Sequence, residues 1–435
     1  MALWSFGKLL AADAGAGAGA AFFMAWRCAR VTAGKAGAGQ AAFGGKPGSA
    51  PEQAVSRTRH GKFPRVHNFP SWRGCRFPRW SPPVIQTAAE LSDLAARIHD
   101  APWVGIDTEA DSLHAYPEKL CLLQIAIPDG AYLVDPLADL HLEPVWEAFD
   151  KHELILHASD YDLHLLYNGH HFKPTSLFDT MWAARMVGDA KFGLNDVLTR
   201  YLGLTLEKGA QKADWGMRPL TARMTEYALN DVRYLREIEQ LLRAKLTELG
   251  RLEWHRQLCA RLIEDNASLS QVDMNTAWRM RGHDQLDDTG LAVLRELWLW
   301  REKDALRTGR PPFFILKHEA LSEIAGQAST GGPKAVKLPH FLTPKRRSGI
   351  HEAIDRGLAV PGADRPTHIR VHSRRMTGAE LDYADVLKVR RDKRAEELVM
   401  DPTIIASRGT LFALARNDPG EWERLLPWQR EILKD

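Results

Sequence analysis

Cysteine is scarce in this chain, with four in 435 residues. Cys28, Cys75, Cys121 and Cys259 lie far apart and form no Cys-x-x-Cys pair and no Cys/His cluster, which argues for a reducing compartment and against zinc. Long apolar runs are missing too. Outside the first segment none reaches the roughly 18 residues a membrane span needs, so the body is expected to have no transmembrane helix. Acids are nearly absent from residues 1–80, which hold twelve Lys or Arg and only Asp13 and Glu52. The whole chain has 58 basic and 55 acidic residues, so the remainder keeps 46 against 53 and is net acidic. That excludes a generic polycation binder. Any nucleic-acid site in the body must be local, made of patches or bound metal.

Regular periodicity is also lacking before Pro82. Residues 11–45 are mostly Ala and Gly, and residues 47–83 are rich in Pro, Arg, Ser and His. Such a composition cannot bury enough apolar surface to order itself. Residues 1–82 therefore read as a disordered basic leader, or as an extension translated from upstream of the true start. Residues 9–26 loosely resemble a signal peptide, but Asp13 and the glycines weaken its apolar core, and a basic, acid-poor leader also fits an organelle transit peptide.

Beyond Pro82 regular patterns begin. Thr87-Ala88-Ala89-Glu90 is a capping box, and Leu91, Leu94, Ala95 and Ile98 follow at helical spacing, predicting a helix over 88–99. Strands are expected at 103–107, 120–127 and 132–135, with Asp129-Gly130 as a tight hairpin turn. A helix near 142–150, a strand at 154–157 and a helix at 160–167 come next. Three antiparallel strands followed by β-α units predict a mixed sheet flanked by helices, an α/β ribonuclease H-like fold.

Within that frame, Val104-Gly105-Ile106-Asp107-Thr108-Glu109 is an apolar run that ends in two carboxylates. Alternate strand residues share a face, so Asp107 and Glu109 aim into one site. A lone Asp-x-Glu is usually a strand ending at a polar turn, so the pair carries weight only if further acids join it. Asp162 stands in the first turn of the helix after the next buried strand. Tyr227 and Asp231 are four apart and share a face of a helix that Thr221 can cap and Gly250 can end. An Asp on the core-ward side of such a helix is anomalous unless paired.

Asp107, Glu109, Asp162 and Asp231 with Tyr227 match the motif set of the DEDD exonuclease superfamily, in the subclass whose third motif is Tyr-x-x-x-Asp. The chain is similar to the ribonuclease D family in particular. Tyr116-Pro117, Leu123-Gln124, Leu156-His157-Ala158, Phe178-Asp179-Thr180, Asp214-Trp215 and Arg218-Pro219-Leu220-Thr221 carry the likeness across residues 83–250. The resemblance implies an exonuclease domain in which the four acids hold two divalent ions, Mg²⁺ or Mn²⁺, as hard cations prefer carboxylate oxygen. Asp107 would bridge both ions, Glu109 and Asp231 would help hold one, and Asp162 would complete the other through water. Tyr227 would orient or deprotonate the attacking water, and with a free phenol pKa near 10 orientation is the safer role.

Secondary candidates follow from the same resemblance. Leu113, His114 and Tyr116 lie where related nucleases contact the terminal base and 3′ end, or form an ordinary loop. Gln124 and Asp179 are supporting partners of the site or structural hydrogen bonders, and His157 is a site residue or a satisfied core histidine. Lys208, Lys212 and Arg218 contact phosphate or are simply solvated.

After an amphipathic connector at 251–284, the segment 285–362 is similar to the HRDC domain, a small helical module shared by RecQ helicases and ribonuclease D. A second, weaker copy is expected at 363–435. There Arg374, Arg375, Lys388, Arg390, Arg391, Lys393 and Arg394 either hold RNA at a distance from the site or cover a solvated helix face.

The reading is a cytoplasmic, metal-dependent 3′-5′ exoribonuclease that trims structured RNA such as transfer-RNA precursors and releases nucleoside 5′-monophosphates. No membrane and no obligate protein partner are implied. A DNA exonuclease of the same superfamily and an inactive RNA-binding scaffold are the alternatives. The motifs alone do not separate RNA from DNA, which recognition of the 2′-hydroxyl would decide.

Overall fold

The computed structural model describes residues 84–207, 209–267, 273–369 and 375–434. The expected leader at 1–82, Lys208 and Arg374 lie outside the described residues.

The capping box forms as expected. Thr87 Oγ1 accepts from Glu90 N, the Glu90 carboxylate accepts from Thr87 N, and α1 (Ala88–Asp100) follows. It leads into a six-stranded sheet in the order β1-β4-β3-β2-β5-β6. Those strands are β1 (Val84–Ile85), β2 (Val104–Ala110), β3 (Leu120–Ile127), β4 (Gly130–Val134), β5 (Glu153–Leu156) and β6 (Ser176–Asp179). The β2-β3 and β3-β4 pairs are antiparallel, as the hairpin signals predict, and the outer pairs are parallel. Neither β1 nor β6 is anticipated by sequence. A two-residue and a four-residue strand are too short to show a period.

Every residue of β3 is buried, because helices cover both sheet faces. On one face Leu91, Leu94 and Ile98 of α1 pack with Ile106, Leu123, Ile125 and Leu154. On the other, Leu122 and Ala126 of β3 meet Ala228, Leu229 and Val232 of α6 (Ala222–Arg233) and Leu235 of α7 (Leu235–Glu248). Between those two helices the chain differs from expectation. Instead of one helix from Thr221 to Gly250, it breaks at Tyr234 (φ −113°, ψ 7°). No Gly or Pro marks the break; two shorter helices follow the twisted sheet where one straight rod would leave it.

Between β4 and β5 lies α2 (Glu143–Phe149), between β5 and β6 runs α3 (Asp160–His170), and α4 (Thr180–Met186) and α5 (Leu194–Leu202) follow β6. Beyond Gly250, α8 (Leu252–Asn266) returns to the body: Cys259 and Ile263 join the first core and Leu258 the core around Phe178. Cys121 and Cys259 are buried free thiols.

Two helical segments then repeat one local frame. In the first, α9 (Asp288–Thr308), α10 (Pro312–Ile315), α11 (His318–Gly331) and α12 (Pro344–Ala359) surround Leu291, Leu297, Trp298, Leu321 and Ile350. In the second, α13 (Gly378–Glu397), the short α14 (Pro402–Ile405) and α15 (Arg408–Ala415) join the exonuclease-side core of Leu242 and Leu246. Arg301 donates to Glu302 and to the Leu316 carbonyl, and Arg391 donates to Asp392 and to the Ala406 carbonyl in the same pattern. Each short helix starts with a proline at its first turn. Among the described residues, no helix is long and apolar enough to cross a membrane.

Candidate active site

Strand β2 carries Asp107 and Glu109 to the face that α6 covers, and α6 brings Asp231 down onto them. Carboxylate oxygens of the three lie within 4.8 Å of one another. Asp162, in the first turn of α3, is buried beside them and accepts from Thr108 Oγ1. The α3 start is fixed by Asp179, a fully buried carboxylate that accepts from Ala158 N, Ser159 N and Ser159 Oγ while capping α4 through Met181 N and Trp182 N. Asp179 therefore orients the turn that delivers Asp162.

The electrostatics ask for a cation. Burial, with Asp231 and Asp162 close by, raises Glu109 to about 9. Burial also raises Asp231 to about 7, with Asp162 adding to the rise although a bond from Tyr227 opposes it. Asp107 is pushed well above the usual carboxylate range by burial and then by Asp162, Asp231 and Glu109. Among the described residues no Lys or Arg pairs with Asp107, Glu109 or Asp231. Clustered half-buried acids without a counter-charge are costly unless a metal binds them, and an all-oxygen donor set suits a hard divalent ion. These residues fit such an ion.

Tyr227 lies one turn before Asp231 and bonds to it. Burial and the three neighbouring acids raise its phenol above its ordinary value, so it keeps its proton. Its ring lies between Trp215, at 6.1 Å between centroids, and the backbone of Gly209. A Cβ on Gly209 would lie 2.0 Å from Tyr227 Cδ2, so only glycine fits. Sequence reasoning did not single out Gly209; nothing local marks a glycine whose ring partner lies on another element.

Gln124 pairs with Asp107 across the β2-β3 ladder. Its side chain is fully buried, with both amide atoms unpartnered, on the face that bears the acids. His157 is held between Thr180, whose Oγ1 lies 2.9 Å from His157 Nδ1 and donates to Leu156 O, and the Phe192 backbone. It is a satisfied histidine at the edge of the second motif.

The loop after β2 carries Leu113, half-buried, and His114, exposed with Nε2 3.4 Å from Lys212 O. Tyr116 lies in the same loop. Its hydroxyl donates to Glu302 of the helical segment at 2.6 Å, and its N–H donates to Gly309 O. Arg218, expected to contact phosphate or be solvated, is engaged within the protein. Its five N–H groups reach both Asp135 oxygens and the carbonyls of Cys121, Trp215 and Met217, leaving no edge for a phosphate. It ties the 210–221 loop to β3 and β4. Most of the basic cluster at 388–394 is engaged too: Lys388 and Arg391 pair with Asp392, Arg394 with Glu397, and Arg390 reaches the carbonyls of Leu433 and Lys434.

A mixed sheet whose central strand aims two acids at a tyrosine and a third acid one turn apart on the covering helix defines a 3′-5′ exonuclease. The family model for a 3′-5′ exonuclease domain matches residues 82–247, and the HRDC domain model matches residues 290–348. Ribonuclease D of Jannaschia sp. is 32% identical over 364 residues, spanning 81% of this chain and 93% of that protein. Ribonuclease D of Gluconacetobacter diazotrophicus is 31% identical, spanning 81% and 91%. The fold is shared with the crystal structure of Escherichia coli RNase D, with a TM-score of 0.64, 22% identity, and 81% and 96% of the two chains covered. The chain belongs to the ribonuclease D family.

Proposed function

We propose that the chain trims the 3′ ends of structured RNA, such as transfer-RNA precursors, and releases nucleoside 5′-monophosphates with the help of two divalent ions. The coarser part, a metal-dependent 3′-5′ exoribonuclease that binds RNA, follows from family membership. The observation that supports the rest is the convergence of Asp107, Glu109 and Asp231 within 4.8 Å, with Tyr227 bonded to Asp231.

In this reading Asp107, Glu109, Asp162 and Asp231 hold Mg²⁺ or Mn²⁺. Two such ions would neutralise charge at the attacked phosphate and at the leaving 3′ oxygen. Tyr227 stays protonated and orients the attacking water by hydrogen bonding rather than accepting its proton. Gln124 and the Leu113–His114 loop border the place where the terminal nucleotide sits. The segment 378–434 acts as a second HRDC-type module, supported by the recurring arginine frame. A cytoplasmic location belongs to the same reading, supported by the buried free thiols.

The test offers 5′- and 3′-labelled RNA and DNA of one sequence with Mg²⁺ or Mn²⁺. Stepwise shortening from the 3′ end of RNA, with mononucleotide 5′-phosphates, is expected. Preference for DNA, or internal cuts, would refute the reading.

A further inference from the structure

The recurrence of one helical frame allows a comparison inside the molecule. In the second segment the turn after the long helix lies against the exonuclease body. Asp401 pairs with Arg185, Thr403 lies within reach of the same guanidinium, and Ile404 is buried. Val399 O comes so close to Gly188 that a Cβ there would lie 2.2 Å away. In the first segment the turn occupies the same place in its own frame, but its residues differ. Met400, Thr403, Ile404 and Ser407 have as counterparts Arg310, Phe313, Phe314 and Lys317.

Those four residues face solvent. Phe313 is 42% and Phe314 57% exposed, and their rings lie 4.6 Å apart. Arg310 and Lys317 are exposed and, among the described residues, have no acidic partner. The turn below them is anchored: Ile315 is fully buried, and Arg301 donates to the Leu316 carbonyl. The patch also adjoins the catalytic loop, since Gly309 O accepts from Tyr116 N at 3.1 Å. Gly309 precedes Phe313 by four residues, so at most about 14 Å of chain separates them.

We propose that Phe313 and Phe314, flanked by Arg310 and Lys317, form a stacking platform for the unpaired 3′ segment of an RNA on its way to the acid cluster. This rests on the exoribonuclease reading above. Two aromatic faces between unpaired cations match what a single strand offers, stackable bases on a charged backbone. An apolar protein segment would gain nothing from the cations, and a second copy of this chain offers no run of stackable faces on a charged backbone.

The experiment uses the full chain with Phe313→Ala and Phe314→Ala together, and with both changed to Tyr. Anisotropy in chelator reads the Kd for a 3′-labelled unpaired 12-mer, and kinetics in Mg²⁺ compare kcat/KM on the 12-mer with that on a trinucleotide. The Ala pair is expected to weaken Kd by about tenfold or more and to lower the 12-mer to trinucleotide ratio similarly, with the Tyr pair restoring both. Arg310→Ala with Lys317→Ala should reduce the salt dependence of log Kd by about 1 to 2 in slope. A Kd and ratio within twofold of the unsubstituted chain would overturn the platform, as would a change in light-scattering mass without a change in RNA binding. If the unsubstituted chain neither binds nor shortens RNA, the functional reading itself fails, which is a distinct result.

Discussion

Tyr116, in the loop after the catalytic strand, donates its hydroxyl to Glu302 of the helical module at 2.6 Å, and the other Glu302 oxygen accepts from buried Arg301. One carboxylate thus joins the interior of one module to the rim of the active site in another. Burial, together with Glu302, raises the Tyr116 phenol well above its ordinary value, so it remains a donor at neutral pH.

Tyr116→Phe leaves Glu302 without that donor. The expected cost is about 1–3 kcal/mol, seen as a lowered Tm. The Leu113–His114 loop should also lose its anchor, so KM for RNA should rise more than kcat falls. Glu302→Gln keeps an acceptor for Tyr116 but removes the charge beside buried Arg301, so it should lower Tm more than Tyr116→Phe does while raising KM less. Equal Tm and KM in Tyr116→Phe and the unsubstituted chain would show that the link is idle.

Gly209→Ala forces its new methyl group against the Tyr227 ring. Displacement of the phenol by about 1 Å is expected to slow kcat by roughly a hundredfold. Single-turnover kinetics with saturating RNA reads this directly, and Tyr227→Phe sets the floor, because it removes the hydroxyl and spares the ring. An unaltered kcat in Gly209→Ala would mean that the ring position does not matter.

Much of this site was legible in the sequence. Alternation along β2 is enough to put Asp107 and Glu109 on one face, and a spacing of four is enough to align Tyr227 with Asp231. What was not legible depends on residues far apart in the chain. Arg218 sits in a motif and reads as a phosphate contact, yet its carboxylate partner, Asp135, is in another element. Tyr116 reads as a substrate contact for the same reason, its partner lying well over a hundred residues on. The break at Tyr234 answers to the sheet beneath it and has no local signal.

Gln124 gives a prediction with two opposed readouts. Its amide is fully buried with no partner among the described protein groups, a cost of about 1–3 kcal/mol by mutational measures. Gln124→Leu should therefore raise the Tm measured in chelator while lowering activity in Mg²⁺. Lower Tm and unchanged activity would make Gln124 a packing residue.

The acid cluster also sets the pH dependence of metal-free stability. In an unfolded chain these carboxylates ionise near pH 4, whereas folding raises Glu109 to about 9 and Asp231 to about 7. Between those limits the folded state binds more protons, so stability falls as pH rises. In chelator the Tm should be higher near pH 5.5 than near pH 8, and excess Mg²⁺ should add more at pH 8. Mg²⁺ that shifts Tm equally at both pH values would contradict this.

The central claim is that Asp107 and its neighbours hold metal for phosphodiester hydrolysis. The most direct measurement is Asp107→Asn, nearly isosteric, assayed on 3′-labelled RNA with Mg²⁺ alongside calorimetry of Mg²⁺ binding. The expected result is loss of digestion by three orders of magnitude or more, on the order of the removal of an essential electrostatic group, with weakened Mg²⁺ binding and a folded, more stable metal-free protein. Digestion at the unsubstituted rate, or undiminished Mg²⁺ binding, would contradict it.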